Sequence, residues 1–188
     1  MWAWEIAGYG SGMETMEARR YLAIYLNDHL AAAAAGVGRA HALARAHRGR
    51  PGEERLRRLA GEITADRGAL LAITKALGLP VRRYKTLAAS AAERAGRLKF
   101  NGRVSSRSPL SDVVEIEALR MGVEGKASLW RTLLALADQE PGLRTSELER
   151  LLARATDQIE LLEDLHKDAV ARTFVRADTG RRVPTIVK

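Results

Sequence analysis

Apolar residues recur at helical spacing along most of the chain, in runs separated by short polar breaks rich in Gly and Pro. The first run, Glu14 to His47, carries Leu22, Leu26, His29, Leu30, Ala33, Val37, Ala40 and Ala44 on one stripe. Arg48-Gly49-Arg50-Pro51-Gly52 breaks it. The second run, Glu53 to Leu77, is the most regular: Leu56, Leu59, Ile63, Asp66, Leu70, Ile73 and Leu77. Gly78-Leu79-Pro80 is a helix stop. A shorter, more basic run, Val81 to Phe100, follows, with Tyr84, Leu87, Ala91, Ala95 and Leu98 on its stripe. After a polar segment, Arg103 to Ser111, a fourth run is expected to start with Ser111 or Asp112 as N-cap and to reach about Ala137. It has two stripes, one through Ile116, Leu119, Val123, Ala127 and Trp130, the other through Val113, Glu117, Met121 and Glu124. The last run, Thr145 to Val175, reads Leu148, Leu152, Ala155, Ile159, Leu162, His166 and Ala169.

Two long helices joined by a tight turn, a connection with its own short helix, then two more long helices joined by a tight turn make two antiparallel hairpins. The expected fold is all-α, an up-down four-helix bundle with a short crossover helix. Residues 1–15 are expected as a flexible leader, 16–175 as the bundle and 176–188 as a basic tail. The composition agrees. Hydrophobic residues make up 46% of the chain but aromatics only 5%, so helices must pack through Ala and Leu rather than sheets through β-branched and aromatic side chains.

Several polar residues interrupt the apolar stripes. Asp66 stands in a series of Leu and Ile, and His166 ends a series of Leu and Ala, with Glu163 one turn before it. In an antiparallel hairpin, residues at one level have a roughly constant summed number, at about 1.5 Å of rise per residue. Centring the last turn between Gln139 and Gly142 puts His166 level with Glu117 and Glu163 level with Arg120, with Glu124 farther off. Centring the first turn near Gly49 puts Asp66 level with Ala33 and one turn from His29, with Asp28 and Glu62 as outer neighbours. Each group has two readings. Glu163 and His166 are metal ligands or a hydrogen-bonded core pair. Asp66 is a ligand or the partner of His29 or a nearby arginine, since a buried carboxylate needs a counter-charge. Arg120 neutralises one of its neighbouring glutamates. His41 and His47 read as residues of a solvated helix end, and Tyr21 and Tyr25 as packing at the core edge.

The helix order and the inward polar residues resemble those of the ferritin-like, di-iron carboxylate superfamily, over residues 16–175. In that family the first and third helices each give a carboxylate and the second and fourth each a Glu-x-x-His pair. Glu163 and His166 match the fourth-helix motif and Glu117 the third-helix carboxylate. The second helix has Glu62 and Asp66 without the histidine, and the first has Asp28 and His29. The resemblance implies iron or manganese in the bundle core and redox or oxygen chemistry, with Glu117, Glu163, His166, Asp66, His29, Glu62 and Glu124 as candidate ligands. The alternative is a non-catalytic structural or interaction module with a degenerate metal site, including a homodimer.

The absence of cysteine excludes disulfides, thiolate metal sites and cysteine nucleophiles. A metal would have to be held by His, Asp and Glu. Net charge is +8 and the pI about 10.3, which permits nucleic-acid binding as a third reading. The cluster Arg82, Arg83, Lys85, Arg94, Arg97 and Lys99 lacks the interleaved aromatics that stack bases, however, and acids alternate with bases elsewhere. No run approaches the roughly 18 apolar residues of a membrane span, and a cytoplasmic location is expected. No phosphate-binding glycine loop or nucleophile triad is present.

Overall fold

The computed structural model describes residues 5–82 and 108–175. These form four α-helices, α1 (Glu5–Ala46), α2 (Glu53–Ala76), α3 (Pro109–Leu136) and α4 (Thr145–Phe174), and contain no strand among the described residues. The expected crossover helix, Val81 to Phe100, and the tail 176–188 fall largely or wholly outside the described residues. Helix α1 is longer than the periodic run that starts at Glu14. No described helix is long and apolar enough to cross a membrane.

Local chemistry accounts for the helix ends. Gly78 adopts φ +67°, donates to Lys75 O, and is followed by Leu79 donating to Thr74 O. That paired closure needs a left-handed residue, which Gly supplies without strain. Helix α3 starts at Pro109 rather than after Ser111 or Asp112. Ser108 is its N-cap, accepting from Leu110 N at 3.3 Å, and Pro at the first helical position loses no bond because that N–H has no partner there. Helix α4 has no side-chain cap; instead Arg144, just outside it, pairs with Glu147 in its first turn.

Contacts between elements set their directions. Near one end, Arg19 of α1 donates to Leu77 O after α2 (2.8 Å) and pairs with Glu140 after α3 (3.2 Å). At the other end, Arg50 of the first turn meets Asp112 of α3 at 2.8 Å, and Gly52 lies against Leu165 of α4. Helices α1 and α4 therefore run one way and α2 and α3 the other. Arg82 sits beside Asn27, about two turns along α1 from Arg19, whereas Ser108 opens α3 at the end opposite Arg19. Buried Asn27 holds that exit: its Nδ2 donates to Ala23 O (2.7 Å) and Pro80 O (2.8 Å), and its Oδ1 accepts from Arg82 N (2.9 Å).

The core runs the length of the bundle. Every member of the α2 stripe is buried, Asp66 included. Helix α1 packs on α2 and α3, and α3 on α4. The α4 stripe is turned by about one residue from its expected setting. Leu148, Leu151, Ala155, Gln158, Leu162, Leu165 and Ala169 are buried, while Leu152, Ile159 and His166 lie at the flank. Helix α4 thus serves two neighbours, and the strip between α2 and α3 follows 151, 158 and 165 rather than 152, 159 and 166.

Candidate functional site

Asp66 is 2% exposed and lies where α2, α3 and α4 meet. Each of its carboxylate oxygens takes a cation: Lys126 of α3 on Oδ2 and Arg154 of α4 on Oδ1. Gln158 of α4 completes the group. Its Oε1 accepts from Lys126, and its Nε2 donates to Glu62 Oε2 at 3.0 Å and to Asp66 Oδ2 at 3.3 Å. Two carboxylates and two cations cancel, so no net charge is left in the core. Burial pushes the Lys126 ammonium below the ordinary lysine value, while the Asp66 carboxylate beside it pulls the other way. Chemically this is a charge-assisted network, satisfied at both Asp66 oxygens although the buried Arg154 Nε–H has no hydrogen-bond partner. Asp66 has no oxygen without a cation beside it.

His29 is not the partner of Asp66. Both line one cavity of about 260 Å³ between α1, α2 and α3. The His29 ring meets Tyr25 edge-on, with centroids 4.5 Å apart, and Tyr25 donates from its hydroxyl to Thr132 Oγ1 at 3.3 Å. Burial lowers the His29 pKa from 6.5, against the weaker opposing pull of Asp28, which is itself exposed. Tyr25 is partly buried as expected; Tyr21 is instead exposed and bonds Glu17.

The levels expected for the second hairpin are the observed ones. His166 Nε2 donates to Glu117 Oε1 at 3.0 Å, and Arg120 Nε lies 3.5 Å from Glu163 Oε2. Their setting differs from expectation. The His166 side chain is 23% exposed and that of Glu117 is 52% exposed, so the pair sits on an outer face. With Arg120, Met121, Glu124 and Glu163 it lines a shallow hollow between α3 and α4. Of its three carboxylates, Glu163 already has two cations beside it, Arg120 at 3.5 Å and Lys167 at 3.9 Å.

The seven expected ligands therefore fall into three places: Glu62 and Asp66 in the ion network, His29 on the cavity wall, and Glu117, Glu124, Glu163 and His166 at the outer hollow. Among the described residues no three His, Asp or Glu side chains are grouped to hold a metal ion. The residues present do not fit the di-iron centre that the resemblance implies.

Lys126, Arg154 and Gln158 were not singled out by sequence. Lys126 and Gln158 each lie one residue from an apolar stripe position; the one-residue turn of α4 brings Gln158 inward, and Lys126 reaches Asp66 from the edge of an α3 stripe that is buried as expected. His47 needs a correction. It is buried, with Nδ1 donating to Leu43 O at 3.0 Å and Nε2 3.5 Å from Asp112 Oδ2. The first residues of α3 cover the end of α1, so His47 is no solvated terminal residue. Of the basic cluster, residues 83 to 99 lie outside the described part; Arg82 is engaged through its backbone. Comparison with known proteins finds no matching family model, and no significant match among curated proteins or solved structures.

Proposed function

We propose that this protein is a non-catalytic, ferritin-like helical bundle that acts as a structural or interaction module, with ion pairs occupying the core level where the family would place its metal. One observation carries the reading: both oxygens of buried Asp66 are taken by Lys126 and Arg154. A metal there would add positive charge beside two cations already on the carboxylate, and displacing Lys126, whose side chain is 14% exposed, would leave it unpaired at a cost of several kcal/mol. The order of two hairpins with α2 parallel to α3 supports the ferritin-like arrangement, since such a bundle has one long connection between its hairpins. The outer pair Glu117 and His166 offers two ligands, and Arg120 disfavours a third charge beside it.

The test is thermal unfolding of protein stripped of metal and then titrated anaerobically with Fe(II), and in parallel with Mn(II), with elemental analysis of the product. Binding to the folded state raises the melting temperature by mass action. The expected result is no shift and no retained metal. A rise of several degrees that vanishes in His166→Ala would overturn the proposal and point to iron or manganese at the outer hollow. A rise that vanishes in Asp66→Asn would place the metal in the core.

A further inference from the structure

We propose that the cavity between α1, α2 and α3 is a binding site for a small amphipathic carboxylate, an apolar chain with an anionic head and a second oxygen at its far end. The inference does not depend on whether the protein holds metal.

The cavity measures about 260 Å³. An apolar protein cavity of about 150 Å³ is enough to bind benzene, so this one has room for a chain on the order of ten heavy atoms. Its walls are mostly small or apolar, with Ala33, Ile63, Leu70 and Leu129 among them; Asp66 and Lys126 also line it, their charges paired with each other. Gly36 and Gly122 leave open space where a Cβ would stand.

Three polar features give it a direction. Trp130 lines the cavity and is wholly buried, yet its Nε1–H has no hydrogen-bond partner. A buried donor without an acceptor costs about 1–3 kcal/mol, and an oxygen entering the cavity would relieve that cost. His29, beside the same end, is held towards its neutral form by burial. Contacts of α1 with α3 and the residues just beyond it (Arg19 with Glu140, Tyr25 with Thr132) place His29 level with Trp130. Ten residues farther along α1, about 15 Å away, Arg39 lines the other end. It is partly buried and no carboxylate pairs with it among the described residues. Of the two cations that line the cavity, Lys126 is already committed to Asp66. Arg39 is thus the cation left for an anionic head, and Trp130 the donor left for an oxygen at the tail. Arginine suits a carboxylate because its planar fork meets both oxygens.

Isothermal titration of the full chain with octanoate, ω-hydroxyoctanoate and octanol tests this. The expected order of affinity is ω-hydroxyoctanoate, then octanoate, then octanol. Arg39→Met should weaken both carboxylates roughly tenfold, the loss of one charge-assisted contact, and leave octanol unchanged. Trp130→Phe should abolish the advantage of the ω-hydroxyl. Gly36→Leu, which fills the cavity at a position with free space around its Cβ, should abolish binding of all three while the melting temperature holds or rises. Binding that survives Gly36→Leu places the ligands elsewhere and overturns the proposal. So does equal affinity for octanol and octanoate, or no heat from any of the three.

Discussion

Asp66 sits among Leu and Ile at a position where sequence alone leaves two readings, ligand or ion-pair partner. The partners that decide between them, Lys126 and Arg154, are 60 and 88 residues away in the chain, and no local pattern connects them. Removing the carboxylate should therefore cost more than removing the whole set. Asp66→Ala is expected to destabilise by about 3 kcal/mol, because it strands two cations in a half-dry site. Asp66→Leu combined with Lys126→Met should be less destabilised than Asp66→Leu alone. Urea unfolding of the single and double variants measures this. Additive losses would mean that the charges do not depend on one another. His29 carries a second expectation. Burial lowers its pKa from 6.5, so below that value the unfolded chain binds a proton that the folded chain resists. Stability should then fall as pH drops through about 6.5 and should be fully present above it. His29→Gln should flatten the change in urea midpoint between about pH 7.5 and about pH 5.5; an unchanged slope would assign the acid sensitivity to other groups.

At the scale of the element, helix existence and ends follow from short-range rules, and facing follows less well. The α2 stripe was legible residue by residue because one face meets the core along its whole length. The α4 stripe was legible only to within one residue, because that helix divides its burial between α2 and α3. That one-residue rotation moves His166 from the core to the flank and brings in Gln158. The contrast between two glycines tests how tightly the elements meet. A Cβ on Gly142, in the turn between α3 and α4, would stand 3.0 Å from Ala76 O at the end of α2. Since backbone must yield, Gly142→Ala should cost about 1–3 kcal/mol. A Cβ on Gly68, mid-helix in α2, meets nothing within 4 Å. Gly68→Ala should stabilise by about 0.5–1 kcal/mol, through helix propensity and the unfolded chain. Thermal melts of the two variants should shift in opposite directions.

For the molecule as a whole, the interaction-module reading includes self-association. Exposed apolar side chains are few among the described residues; of them, Met16 and Ile24 share one hollow on α1 with three arginines around it, and Met121 stands on α3 among charged neighbours. A homodimer should therefore be marginal and concentration-dependent; sedimentation at several concentrations would reveal it, and a tight dimer at the lowest would show a larger interface than these side chains provide. By itself the sequence determined the helical class, the two tight turns, the antiparallel hairpins and the levels at which Glu117 meets His166 and Arg120 meets Glu163. All of these depend on periodicity and rise, which are local properties of the chain. Only the tertiary structure decided which polar residues share a site. The rotation of α4 brought Gln158 onto Asp66, where Lys126 and Arg154 also reach it, the packing of α3 over α1 buried His47, and the small side chains of α1 left open the cavity beside Trp130. Those outcomes depend on how three or four helices fill space together, and a few tens of degrees of rotation about one helix axis changes which side chains meet.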